Sequence, residues 1–189
     1  IADIMINTDR YFVHKGWDIL QDEIINNTPL FVIKPKYDEY RQFVMGEFMN
    51  IAVEYPFVKP MLTKLKVDGY KIGLITNGRE ALQKQKLKLL GLEDYFDKIY
   101  IGGMHPFAKP STEPFKIMAE WLNIKTNEMM YVGDNPENDI EASRNAGCIP
   151  VFVNTTNTWV LEYIEKPKFC IETVAELPDL INKIKVSNI

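Results

Sequence analysis

Two acids, Asp134 and Asp139, follow the apolar run Tyr131-Val132-Gly133 and bracket the segment Asn135-Pro136-Glu137-Asn138. Carboxylates at the carboxyl end of a buried strand are disfavoured unless a cation or hydrogen-bond donors compensate them, so this stretch invites an oxygen-ligated ion, Mg2+ first. Lying across a strand end and the first turn of a helix, both acids can turn toward one cation. The plainer alternative makes Asp134 a helix-start residue and Asp139 a solvated acid. The coincidence of apolar strand, glycine and two acids favours the metal.

Two other segments carry compatible chemistry. Thr76-Asn77-Gly78 follows Ile72-Gly73-Leu74-Ile75 and sets a hydroxyl, a small turn residue and free backbone amides where a strand meets a helix, a place suited to a phosphate. Alone, these residues also fit an Asn-Gly turn with a helix cap. Lys109 precedes Pro110, which favours extended backbone for the lysine, and Ser111 opens the next helix. A lysine fixed there can neutralise charge on a phosphoryl group and hold a nearby carboxylate ionised.

The elements that must position these residues follow from periodicity. Short β-branched runs at Tyr70 to Thr76, Lys98 to Ile101, Met129 to Gly133, Pro150 to Asn154 and Phe169 to Glu172 alternate with helical patterns. Arg79 to Leu90 closes at Gly91, Ser111 caps a segment ending near Leu122, and Pro136 suits the first turn of a helix that stops before Gly147. Strand alternating with helix predicts an α/β fold with a parallel sheet covered on both faces, which binds ligands at its carboxyl edge. The loops at Thr76, Lys109 and Asp134 are then expected on one edge. Asp9 to Ile25 and Tyr37 to Tyr55 instead read as a small helical module, with Trp17, Phe43, Phe48 and Met49 as packing residues and Asn26 to Lys36 as a possible specificity surface.

Bulk properties narrow the classes. The 189 residues suffice for one core plus an insertion. With 46% hydrophobic and 25% charged residues, the chain has a globular composition. A net charge of -4 without a basic run argues against nucleic acid, and no apolar span suits a membrane. A cytoplasmic location is expected, and the oligomeric state is left open. Cys148 and Cys170 are expected as buried reduced thiols, and His14 and His105 as surface or packing residues.

Taken together, the three segments resemble the haloacid dehalogenase (HAD) superfamily of magnesium-dependent phosphatases and related phosphotransferases. Gly73-Leu74-Ile75-Thr76-Asn77-Gly78-Arg79 looks like its second motif. Lys109-Pro110-Ser111-Thr112-Glu113-Pro114-Phe115 looks like the third, and Val132-Gly133-Asp134-Asn135-Pro136-Glu137-Asn138-Asp139 like the fourth. The resemblance implies a three-layer Rossmann-like core with a small helical cap near the N-terminus: residues 1–8 as the first core strand, 9–56 as cap and 57–189 as core. It implies that Thr76 hydrogen-bonds the phosphoryl group, with Asn77 and Gly78 beside it, that Lys109 bridges phosphate and nucleophile, and that Asp134 binds Mg2+ with support from Asp139. The implied activity is hydrolysis of a small phosphorylated metabolite through an aspartyl-phosphate.

That chemistry requires a first motif of two aspartates one residue apart, and here the sequence departs from the pattern. The stretch Tyr11-Phe12-Val13-His14-Lys15-Gly16-Trp17 registers Ile1 on the nucleophile and Asp3 on the general acid/base, with Met5 where the family has threonine. A second registration places Asn7 on the nucleophile and Asp9 on the acid. Neither supplies a nucleophilic carboxylate. A chain beginning on isoleucine at this point is read as beginning inside the motif; an altered nucleophile or a noncatalytic binding or regulatory relative are the alternatives. Dehalogenase chemistry and a two-component receiver domain fit less well, the latter because of the helical insertion before Thr76.

Overall fold

The computed structural model describes residues 17–154 and 164–187, so the expectations for residues 1–8, including Asp3, and for His14 fall outside the described residues. The chain divides into two compact units, 1–52 and 53–189.

In the first unit, α1 (Trp17–Asp22) runs into a wider π-helical turn at Glu23–Asn27, and α2 spans Tyr37–Ile51. Buried Gln21 joins them: its amide donates to the Tyr37 carbonyl at 2.7 Å and its oxygen accepts from Arg41 at 3.2 Å. Ile24, Ile25 and Tyr40 form the small core, with Phe31 edge-on to Tyr40 at 5.7 Å. Phe43, expected to pack, is exposed, as are Val32 and Ile33 in the loop before α2. The side chains of Trp17, Phe48 and Met49, expected to pack as well, lie outside those described.

The second unit has the expected alternation: α3 (Val58–Val67), β1 (Gly73–Thr76), α4 (Glu80–Leu90), β2 (Lys98–Ile101), α5 (Glu113–Trp121), β3 (Met130–Gly133), α6 (Ala142–Asn145), β4 (Ile149–Val153), β5 (Phe169–Ile171) and α7 (Leu177–Ser187). Among the described residues every strand pairing is parallel. Side chains alternate across each strand, so neighbouring residues serve different cores. Leu74, Met130 and Val132 pack with α3, α4 and α7, whereas Ile75 and Tyr131 pack with Phe115 and Met118 of α5 and Ala142 of α6. Two apolar layers of helices therefore sandwich the strands. This is the α/β arrangement that strand–helix alternation predicts, with the Rossmann-like layering that the family resemblance implies.

The strand order is β1-β2 in one sheet and β3-β4-β5 in another; among the described residues β1 and β3 share no ladder. A cavity of about 470 Å³ separates them, lined by Leu74 and Ile75 on one side, Met130 and Val132 on the other, and Leu62 and Ile181 from the flanking helices. Cys148 is buried as expected, but Cys170 is exposed. Its strand, β5, closes the sheet, and there the alternation turns Ile171 inward and Cys170 out.

Candidate active site

Loop residues at the carboxyl ends of β1, β2 and β3 converge. Asn77 is the junction of the first two: its side-chain Nδ2 donates to the Lys109 carbonyl at 2.8 Å, and its Oδ1 accepts from the Lys109 backbone amide at 3.0 Å. The Asn77 side chain is thus engaged with the lysine's backbone. The turn it anchors leads into α4, at whose start the helix dipole favours an anion. Gly78 adopts φ 114°, which L side chains avoid, and its carbonyl accepts from Gly103 at 3.0 Å, holding the β2 loop against the turn. Thr76 is half-buried beside it.

Lys109 then reaches the third loop. Its Nζ lies 2.5 Å from Asp139 Oδ1 and 2.8 Å from the Tyr131 hydroxyl, with side-chain exposures of 11% for Lys109 and 7% for Asp139. A pair so buried is screened far less than a surface ion pair. Asp139 reaches this place because residues Pro136–Glu141 form a wide π-helical turn, started by Asn135, whose side chain accepts from the Glu137 and Asn138 amides. The turn folds Asp139 back under β3, where Oδ2 accepts from the Asn135 amide at 3.0 Å. Gly133 makes the room: a Cβ there would fall 2.4 Å from Asp139 Cγ.

The two acids therefore occupy different surroundings. Asp139 is buried with both oxygens hydrogen-bonded, whereas Asp134 is exposed at the rim. Among the described residues no group of three His, Cys, Asp or Glu could hold a metal by itself.

Tyr131 is the participant that sequence reasoning did not single out. Burial, then the charge of Asp139, raises its phenol well above the ordinary range, so it stays protonated. The available signal was its hydroxyl: a tyrosine inside an otherwise aliphatic strand needs a polar partner when buried.

Parallel strands between two helical layers, with Lys109 and the buried Asp139 brought together at their carboxyl edge, define an α/β protein with a charged site at that edge. A family model described as haloacid dehalogenase-like hydrolase matches residues 8–153. The chain belongs to that family, in its phosphatase-like branch. It is 33% identical over 128 residues to N-acylneuraminate-9-phosphatase of Mus musculus, a match covering 67% of this chain and 51% of that protein. It is 32% identical over 150 residues to pyrophosphatase PpaX of Bacillus mycoides, covering 77% of this chain and 67% of that one. The chain thus spans about half to two thirds of the length of these relatives. Among solved structures, the magnesium-bound HAD-hydrolase YfnB of Bacillus subtilis superimposes with a TM-score of 0.80 at 18% identity, over 96% of this chain and 80% of that one. A HAD phosphatase from Thermococcus onnurineus gives 0.67 at 25% identity, over 95% and 77%.

Proposed function

We propose that the protein is a magnesium-dependent phosphomonoesterase acting on a small phosphorylated metabolite. The observation that carries this reading is the buried Lys109–Asp139 pair linked through Asn77 to the turn after β1. Thr76 and the amides of Asn77 and Gly78 would grip the phosphoryl oxygens, with Lys109 supplying the positive charge. Phosphatase relatives of known substrate, including glyceraldehyde 3-phosphate phosphatase of Methanocaldococcus jannaschii, support the reaction class.

The donor set fits Mg2+. Asp134 is the anionic oxygen left at the rim, since both oxygens of Asp139 already accept protein hydrogen bonds. Mg2+ is commonly held by one or two carboxylates plus waters, so Asp134 would be the direct ligand and Asp139 would orient bound water. When bound, the ion would neutralise charge on the phosphoryl oxygens.

An aspartate nucleophile, which this reaction requires and neither registration supplies here, would attack phosphorus and displace the substrate's alkoxide, which Asp3 as general acid would protonate; Asp3 as general base would then activate the water that hydrolyses the aspartyl-phosphate. Residues 1–8 as the first core strand and 9–56 as the cap belong to this reading as the family resemblance implies them. Because isoleucine or asparagine stands at the nucleophile's place, the second reading is a binding or regulatory domain that keeps the phosphate pocket.

The test assays phosphate release from sugar and nucleotide monophosphates by the chain, by Ile1→Asp and by Asn7→Asp. Magnesium-dependent release that Asp134→Ala abolishes is expected from at least one. Stabilisation by inorganic phosphate without turnover in all three selects the binding domain. Neither turnover nor stabilisation rejects both readings.

A further inference from the structure

The geometry points to Tyr131 as a positioning residue that sets the direction in which the Lys109 ammonium aims; its consequence for phosphate binding rests on the function proposed above. An ammonium carries three donors. One serves Asp139 Oδ1 at 2.5 Å and a second serves the Tyr131 hydroxyl at 2.8 Å, which leaves the third for a ligand oxygen. With Asp139 alone, Nζ would pivot about a single contact. With two fixed acceptors, and the Tyr131 ring centroid 5.4 Å away, the free donor points one way.

The hydroxyl is itself held. Phe115, fully buried on α5, stands edge-on to the Tyr131 ring with centroids 4.7 Å apart, and fixes the ring plane. The single phenolic proton faces two acceptors, the Ile75 carbonyl and Asp139 Oδ1, both at 3.3 Å. Ile75 precedes Thr76, so one oxygen atom ties the strand that presents the threonine to the lysine and to the buried acid. Phenylalanine in this place would fill the same volume and keep the same contact with Phe115. Only the tether would be lost.

The experiment uses that difference. Limiting acetic anhydride is applied to the full chain and to Tyr131→Phe, and acetylation of Lys109 is followed by peptide mass spectrometry against Lys98 and Lys116. Loss of a hydrogen bond to a charged group predicts that Lys109 reacts about tenfold faster in the variant while the two exposed lysines are unchanged. Affinity for inorganic phosphate, measured by calorimetry, is expected to fall by about the same factor. Equal acetylation of Lys109 in both proteins overturns the positioning role. Faster acetylation in a chain that binds no phosphate upholds that role and instead sinks the phosphate reading. Should Tyr131→Phe not fold, Phe115→Leu loosens the brace with the hydroxyl retained, and Lys109 acetylation is expected to rise by a smaller factor; no rise again overturns the inference.

Discussion

Lys109 and Asp139 bring Nζ and Oδ1 within 2.5 Å of each other although 30 positions separate them in the chain. Both side chains are nearly inaccessible, so removing one partner leaves a desolvated charge. Asp139→Ala is expected to lower stability by about 3 kcal/mol, because the remaining ammonium is buried without its counter-charge. Replacing both, as Lys109→Met with Asp139→Leu, should recover most of that loss in urea unfolding. A double variant as unstable as the sum of the singles would contradict the coupling.

Asn77 makes a reciprocal pair of hydrogen bonds with the Lys109 backbone. Asn77→Ala leaves a part-buried amide and carbonyl unmatched, and a loss of about 2 kcal/mol is expected in thermal unfolding. Asn77→Asp keeps the acceptor for the Lys109 amide but sets a carboxylate against its carbonyl. It should be no better than alanine; a variant as stable as the parent would show that the pairing is incidental.

Gly133→Ala is expected to unseat Asp139, since the added methyl would lie 2.4 Å from its Cγ. The penalty should be in the overpacking range of about 1–3 kcal/mol, with weaker phosphate binding as Lys109 loses its anchor. Gly46→Ala, which meets nothing within 4 Å, is the matched control. Equal effects at the two sites would refute the argument.

The two thiols should separate in reactivity. Burial raises Cys148 from 9.0 to about 11, so at pH 8 it is protonated as well as inaccessible, while Cys170 is exposed. Iodoacetamide is expected to modify Cys170 in the folded chain and Cys148 only after unfolding. The linkage has a definite sign: above pH 9.0 the unfolded thiol loses its proton while the folded one keeps it until about 11, so stability falls through that window. In Cys148→Ala the melting temperature should decline less steeply over the same range; parallel declines would exclude the thiol as the cause.

Strand positions were legible because they are dictated by local pattern. Lys98 to Ile101 was placed to the residue, and the other strands within a few residues, since β-branched runs flanked by turn residues leave few alternatives. The convergence of the Thr76, Lys109 and Asp134 loops followed from all-parallel topology. What the pattern did not carry was side-chain direction. Spacing alone left Asp134 and Asp139 equivalent, and only the wide turn at Pro136–Glu141 makes one an inward partner of Lys109 and the other a rim acid. Phe43 and Cys170 show the same gap: hydrophobic character predicted burial, while their exposure depends on which neighbours a short helix or an outermost strand possesses. Tyr131 required knowing what lay on both sides of its strand.

Because a single amide side chain docks the lysine's backbone, the address of Lys109 is written in Asn77 and not in the chain that joins them. Between these two residues β2 is fixed by its ladder with β1 and by the Gly103–Gly78 contact, which leaves the exposed turn after α4 as the part that can lengthen or be rebuilt so long as both ends return to that clasp. A natural or designed relative is therefore free to change its outer contour around the turn at Glu93–Tyr95 while its lysine keeps its station.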